Sequence, residues 1–244
     1  MMPKFHILIP ARYASSRFPG KLLQDLAGQT VLQRVYKQAL LAKPASIVIL
    51  TDHEKIMEQA QAYGAHCVLS AVEYISGTDR IAAWVAQQNY DDQDIIVNVQ
   101  GDEPFIQPEL IQQVACNISK EQVVMATLCA VIHDQAALYN TNVVKVVRNC
   151  YNHALYFSRN LIPAHRHDAN GSCLIYKHVG LYAYKASFLK SWVHTVPCIL
   201  EQEENLEQLR VLWLGHSIHV DLACLSPQQD INTPEDLAIA RQQF

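Results

Sequence analysis

The stretch "IPARYASSRFPGKLL", from Ile9 to Leu23, sets three cations, Arg12, Arg17 and Lys21, five and four residues apart among serines, a proline and a glycine. The chain as a whole carries a formal net charge of −4, so general basicity does not account for them. Guanidinium forks, an ammonium point charge and backbone N–H groups on one loop can meet several phosphate oxygens at once. The competing reading of the same residues is a solvated charged turn. The spacing is neither the GxxxxGK[ST] of a P-loop nor the GxGxxG of a dinucleotide-binding turn.

Two further stretches add chemistry. In "NVQGDEP", Asn98–Pro104, Gln100 offers an amide, Gly101 permits close approach, and Asp102 stands where a carboxylate can hold Mg²⁺ beside a polyphosphate. A plain turn aspartate is the alternative, but a cationic loop on the same sheet edge favours the metal. Glu103 reads either as a helper or as a surface carboxylate. "SGTDR", Ser76–Arg80, leads into a helix, and its small residues and free N–H groups suit a base edge or an anion. Capped helix starts are common, so this stretch decides nothing alone. The cluster "HRHD", His165–Asp168, reads as a solvated polar loop before it reads as a metal site.

The elements that must position these residues alternate. Apolar β-type runs fall at Phe5–Ile9, Ile47–Leu50, Ile95–Val99, Val123–Val131 and Val143–Val147. Helical patterns lie between them at Thr30–Ala42, His53–Tyr63, Thr78–Gln88 (with Thr78 as N-cap) and Pro108–Ile118. The first four runs are nearly continuous in apolar residues, as in parallel strands covered on both faces. The expectation is an α/β fold, a doubly wound, mostly parallel Rossmann-like sheet whose ligands bind at the carboxyl ends of the strands. After about residue 150 the rhythm changes. Ala154–Phe157, His178–Tyr184 and Ile218–Asp221 look like strands, and Pro163–Lys177 like a loop. Glu203–Leu214 looks like one amphipathic helix with Leu206, Leu209 and Trp213 on one face. "NTPEDLAIARQQ" sets Thr233 as N-cap, Pro234 at N1, and Glu235 and Asp236 in the first turn. No linker or repeat divides the 244 residues, so one domain with a C-terminal β/α elaboration is expected.

Composition narrows the class. Half of the residues are hydrophobic, yet the longest mostly apolar run, Val123–Ile132, is roughly half of the ~20 residues a membrane helix needs. Seven scattered cysteines without a CxxC pair argue against a disulfide framework or zinc site and read as small core residues. Mild acidity without a basic block makes nucleic acid an unsuitable partner. The expectation is a soluble, cytoplasmic protein with no membrane or nucleic-acid partner.

Seven blocks occur in order: "IPARYASSRFPGK", "SGTDR", "VNVQGDEP", "ALYFSR", "HVGLYAY", "LEQLRVL" and "TPEDL". Together they resemble the CMP-Kdo synthetases, or 3-deoxy-manno-octulosonate cytidylyltransferases, over nearly the whole chain. The resemblance implies the reaction of CTP with Kdo to give CMP-Kdo and pyrophosphate, for lipopolysaccharide assembly. It implies that Arg12, Arg17 and Lys21 grip the triphosphate, with Arg12, Lys21 and Asp102 central to catalysis. Ser76, Gly77 and Thr78 would face cytosine, with Arg80 and Gln100 near the nucleotide. Asp102 and Asn232 would hold Mg²⁺. Arg159 would meet the sugar carboxylate, and His178, Tyr182, Glu207 and Gln208 its hydroxyls. Residues 1–150 would form the CTP-binding half and 151–225 the sugar-binding and dimerisation elaboration, with His178–Tyr184 and the apolar face around Trp192 as candidate homodimer contacts. Mg²⁺ would lower the pKa of the attacking hydroxyl, so that no single side chain is needed as base.

The chain departs from this family in places. Asn232 stands where the family has an aspartate, so one neutral oxygen replaces a carboxylate. Three outcomes follow: weaker coordination by Asn232, which is favoured because CTP carries much of the metal's coordination itself; replacement by Asp230 after a local backbone change; or loss of the second metal site. Leu22 and Thr141 replace commoner prolines, which touches no charged site residue. Other acid sugars, such as sialic acid or an 8-amino Kdo, remain alternative acceptors. A non-catalytic CTP-binding homologue is the alternative outside enzymes.

Overall fold

The computed structural model describes residues 2–15, 17–70, 74, 76–120, 122–164 and 174–244. The chain opens with β1 (Phe5–Ala11), a small hairpin of β2 (Asp25–Leu26) and β3 (Gln29–Thr30), α1 (Val31–Leu41), β4 (Ser46–Thr51), α2 (Glu54–Ala62) and β5 (Cys67–Leu69). It continues with α3 (Gly77–Ala86), β6 (Ile95–Asn98), α4 (Pro108–Lys120), β7 (Met125–Val131) and α5 (Gln135–Tyr139). The later part holds β8 (Lys145–Arg148), β9 (Ala154–Ser158), β10 (Tyr176–Lys185), α6 (Ala186–Trp192), α7 (Ile199–Glu204), α8 (Gln208–Trp213), β11 (Ile218–Leu222) and α9 (Pro234–Arg241).

The main sheet runs β11-β7-β10-β6-β1-β4-β5, with β8 and β9 extending from β10. β1 pairs in parallel with β4 and β6, as does β4 with β5. β10 enters between β6 and β7 and is antiparallel to both. The mostly parallel α/β sheet is as expected, but one strand near its middle is reversed. The strand His178–Tyr184 is therefore interior, and not a free edge available to a second copy.

Both faces of the sheet are covered, which is why its strands read as apolar runs. In β1 the side chains of Phe5, Ile7 and Ile9 join α1, α4 and α9, whereas Leu8 joins α3, α6 and α8. Each fully buried isoleucine contributes about 1.5–3 kcal/mol of burial. Trp192 itself, at 1% exposure, is packed in this second core, whereas Val193, Val196 and Ile199 after it are exposed.

The expected single helix Glu203–Leu214 is two. Asn205 takes φ 52°, ψ 52° between α7 and α8, a left-handed conformation that Asn tolerates and that ends α7. Leu206 and Leu209 are buried as expected, but Trp213 is 57% exposed. Thr233 and Asp236 form a capping box over α9 with Pro234 in its first turn, as the sequence indicates. Of the six described cysteines, Cys67, Cys129 and Cys198 are buried, while Cys150 and Cys224 are exposed and Cys116 is intermediate. "HRHD" lies outside the described residues, and so does most of the expected loop Pro163–Lys177.

Candidate active site

The cationic loop leaves the carboxyl end of β1. Gly20, at φ +69°, lets its N–H donate to the Tyr13 carbonyl at 3.0 Å, which closes the loop on itself. A single 3-10 turn, Lys21–Leu23, then carries Lys21 inward. Lys21 is 9% exposed, whereas Arg12 and Arg17 are exposed. The Lys21 ammonium donates to the Asp102 carboxylate, to the Ile231 carbonyl at 2.9 Å and to Asn232 Oδ1 at 3.3 Å. Arg17 donates to the same Asn232 Oδ1 at 2.9 Å. The first motif of the chain and its last are thus joined over one carboxylate.

The other two motifs rest on Pro10, at the end of β1. A Cβ on Gly77 would lie 3.2 Å from Pro10 Cγ, and one on Gly101 would lie 3.2 Å from the Pro10 carbonyl oxygen. Only glycine lets both loops come this close to the strand. The cap of α3 is Ser76, not Thr78: Ser76 Oγ accepts from the Asp79 N–H at 3.1 Å. Thr78 lies inside the helix at 1% exposure, and its hydroxyl bonds Glu207 at 2.5 Å and Tyr184 at 3.1 Å. Arg80 pairs with Asp52 at 3.0 Å, while its Nη1 is buried with no partner.

These elements enclose two adjoining chambers. One, of about 420 Å³, is lined by all four expected cations, Arg12, Arg17, Lys21 and Arg80, together with Ser76 and Gly77. The other, of about 820 Å³, is lined by His178, Tyr182 and Gln208 among polar and apolar neighbours, together with Glu103, Lys177, Asp230 and Asp236. Arg17, Gln100, Asp102, Leu206, Glu207 and Asn232 line both and form the partition. Asp102 therefore faces both chambers.

In the larger chamber, Gln208 is 2% exposed and its Nε2 is buried without a partner. An unpaired buried amide donor is costly unless something arrives to accept from it. Thr127 Oγ1 lies 2.8 Å from the Leu181 carbonyl and 3.0 Å from His178 Nε2. Thr127 has one proton, which we assign to the Leu181 carbonyl, so Nε2–H donates to Thr127 and Nδ1 is left as an acceptor. Loss of solvent lowers the His178 pKa to about 3, so the ring is neutral near pH 7. Burial raises the Tyr182 pKa well above its ordinary value, with the Glu207 charge adding to it, so the phenol keeps its proton.

Around the partition, negative charge is crowded. Glu103 is held well above the usual carboxylate range, by loss of solvent first and then by Asp230 and Asp102. Asp230, on the open side of the chamber, is pushed up to about 6 by loss of solvent and the Asp102 charge, against Lys21 and Lys177. Among the described residues, no three His, Cys, Asp or Glu side chains are placed to share one metal ion. The Asp102 carboxylate, the Asn232 amide oxygen and the Ile231 carbonyl converge instead on the Lys21 ammonium, so a divalent cation would reach these oxygens only in place of that ammonium. As an oxygen-only set that includes one carboxylate, they are of the kind a hard cation such as Mg²⁺ takes.

Arg159 is placed otherwise than the sequence suggested. Its guanidinium donates to the carbonyls of Glu204 at 2.6 Å, Thr141 at 3.0 Å and Asn205 at 3.2 Å, and it lines neither chamber. Here it clasps the end of β9 to the α7–α8 corner, with its fork already taken.

The chain matches the family described as Cytidylyltransferase over residues 6–218. It is 56% identical to the 3-deoxy-manno-octulosonate cytidylyltransferase of Legionella pneumophila (strain Lens), over 100% of this chain and 98% of the relative. This chain belongs to the cytidylyltransferase family. A Haemophilus ducreyi cytidylyltransferase of the same name is 46% identical over 98% of this chain and 97% of its own. A solved CMP:2-keto-3-deoxy-manno-octonic acid synthetase complexed with CTP superposes with a TM-score of 0.91 at 35% identity, covering 99% of this chain and 98% of that one.

Against that cytidylyltransferase frame, sequence reading missed several residues of the chamber walls. Leu206 and Glu201 reach the smaller chamber because α7 and α8 are separate, and Asn142 and Lys177 line the larger one. The one available signal was Asn205, a residue that tolerates the left-handed turn ending α7.

Proposed function

We propose that this protein transfers a cytidylyl group from CTP to 3-deoxy-manno-octulosonate, releasing pyrophosphate. The observation that carries this reading is the pair of chambers meeting at Asp102, one cationic and the other a polar, partly apolar space lined by more carboxylates than cations. The triphosphate would lie against Arg12, Arg17 and Lys21, with the base toward Ser76, Gly77 and Arg80. The acid sugar would lie against His178, Tyr182, Glu207 and Gln208, where neutral donors and acceptors and the Glu207 carboxylate suit hydroxyls.

In this arrangement the anomeric hydroxyl approaches the α-phosphorus in line. A sugar O–P bond forms as the bond to the bridging oxygen of pyrophosphate breaks, and pyrophosphate leaves with the electron pair. The hydroxyl proton passes to solvent, with no single side chain required as base. Lys21 and the arginines stabilise the charge that builds on the phosphoryl and leaving oxygens. Mg²⁺, held through Asp102, Asn232 and the Ile231 carbonyl, would supply Lewis-acid polarisation of the phosphates and ease ionisation of the hydroxyl. We also place the protein in the cytoplasm, where CTP is available, as a homodimer, with lipopolysaccharide assembly as the consumer of its product.

The test is pyrophosphate release with CTP, Kdo and a Mg²⁺ titration, run beside other nucleotides and beside sialic acid and 8-amino Kdo. Release with CTP and Kdo in preference to the others is expected, and release with a different sugar alone would reassign the acceptor. Asn232→Asp should lower the Mg²⁺ midpoint by roughly threefold to tenfold, because added ligand charge strengthens binding of a hard cation. An unchanged midpoint would remove Asn232 from the metal site.

A further inference from the structure

Two rungs tie the first turn of α3 to α8. The Glu207 carboxylate accepts from the Thr78 N–H at 3.4 Å and from the Thr78 hydroxyl at 2.5 Å. One turn further along, the Arg210 Nη1 meets Asp79 Oδ1 at 3.3 Å. Arg210 is 1% exposed and grips Glu201 through two bonds, at 2.6 Å from Nε and 2.5 Å from Nη2. Its guanidinium carbon lies 4.2 Å over the Trp192 ring, and Trp192 Nε1 donates to the same Asp79 Oδ1 at 2.7 Å. Ser76 Oγ donates to the other Asp79 oxygen at 2.9 Å.

The consequence follows from what each end carries. Ser76 and Gly77 line the smaller chamber, Gln208 the larger one, and Glu207 both. Between them lies the break at Asn205, so α8 is not held in line by continuation of α7. Stability alone does not call for this network, because a buried ion pair is often matched by well-packed apolar residues. The Glu201 pair by itself would satisfy the charge of Arg210. The reach to Asp79 adds direction, since a planar fork and a shared carboxylate fix one helix against another at a set register.

We propose that Arg210, acting through Asp79, is a positioning residue that sets Glu207 and Gln208 in register with the nucleotide-facing Ser76 and Gly77. It touches neither substrate, and its effect is on how well the acceptor is held once the nucleotide half is in place. This inference rests on the cytidylyl-transfer reading for its kinetic consequence, though not for its geometry.

The test uses the full chain with Asp79→Asn, which keeps the size of the side chain and an oxygen for Trp192 but removes the charge that Arg210 reaches. Arg210→Lys keeps the charge without the fork. Expected is a rise in the acceptor KM of roughly fivefold to tenfold for Asp79→Asn and Arg210→Lys, with the CTP KM within about twofold. Hydrogen exchange should quicken at the amides of 205–209 and stay unchanged in the β1–β4–β6 core. Equal changes in both KM values, no change in either, or exchange that quickens everywhere would overturn the proposal and leave Arg210 a structural residue. If the native chain releases no pyrophosphate with CTP and Kdo, that reaction is lost. The exchange at 205–209 would then decide the register alone, with unchanged exchange sinking it.

Discussion

The two chambers differ in how they are made. The cationic chamber takes its cations and most of its wall from short segments directly after β1 and β6 and from the start of α3, all within the first 102 residues, and is completed by the α7–α8 corner and Asn232. The larger chamber draws on β10, the α7–α8 corner and the approach to α9, elements brought together across a reversed strand. One is mostly local and carries the cations, and the other is assembled over a longer range and sets neutral polar groups among carboxylates. Binding of a polyanion needs positive charge at a strand end, whereas reading hydroxyls needs donors and acceptors whose direction is fixed by their neighbours.

The largest effect is expected at the partition. Asp102→Asn is expected to lower turnover by roughly 10²–10³-fold, the scale for loss of an electrostatic contact at the reacting centre. CTP affinity without Mg²⁺, read by calorimetry, should change far less. An equal fall in both would make Asp102 a general binding residue and merge the two chambers into one site.

A smaller effect is expected within the larger chamber. Gln208→Leu removes the unpartnered buried amide, so the protein alone should not lose stability. The acceptor KM should still rise roughly tenfold, the worth of about one well-made hydrogen bond. Steady-state kinetics with CTP held saturating check this, and a rise in the CTP KM instead would assign Gln208 to the other side of the partition.

The smallest effect is on the pH dependence of stability. His178 is depressed from 6.5 to about 3, so between those values the unfolded chain takes up a proton that the folded chain refuses. Its contribution is present above pH 6.5 and is lost as pH falls toward 3. Urea melts at pH 7 and pH 5 should therefore show a steeper loss for the native protein than for His178→Gln. Parallel losses would mean that the ring is not sequestered from water.

The same contrast governs what the sequence disclosed. The parallel strands were legible because burial on both faces leaves apolar runs, and the cations because nothing else explains them in an acidic chain. Asn232 stood out against its motif, and the structure places it beside Lys21 and Arg17. The α7–α8 break was missed because one left-handed residue interrupts an otherwise unbroken helical pattern. The fate of Arg159 was out of reach, since backbone carbonyls of three different residues take up its fork, and carbonyls leave no mark in a sequence. Asp79 and Arg210 were passed over for a related reason: they lie 131 residues apart and each reads as an ordinary helix-surface charge.

The reversed strand also sets a schedule for synthesis. β10 separates β6 from β7, yet β7 ends at Val131 and β10 is complete only at Lys185, 54 residues later. On a ribosome adding about 5–20 residues per second, that gap lasts roughly 3–11 s. Throughout it, β6 and β7 each present a bare row of backbone donors and acceptors to the growing chain and its surroundings. The nascent protein is thus most exposed to mispairing and to capture by holding chaperones after β7 has emerged and before β10 is complete.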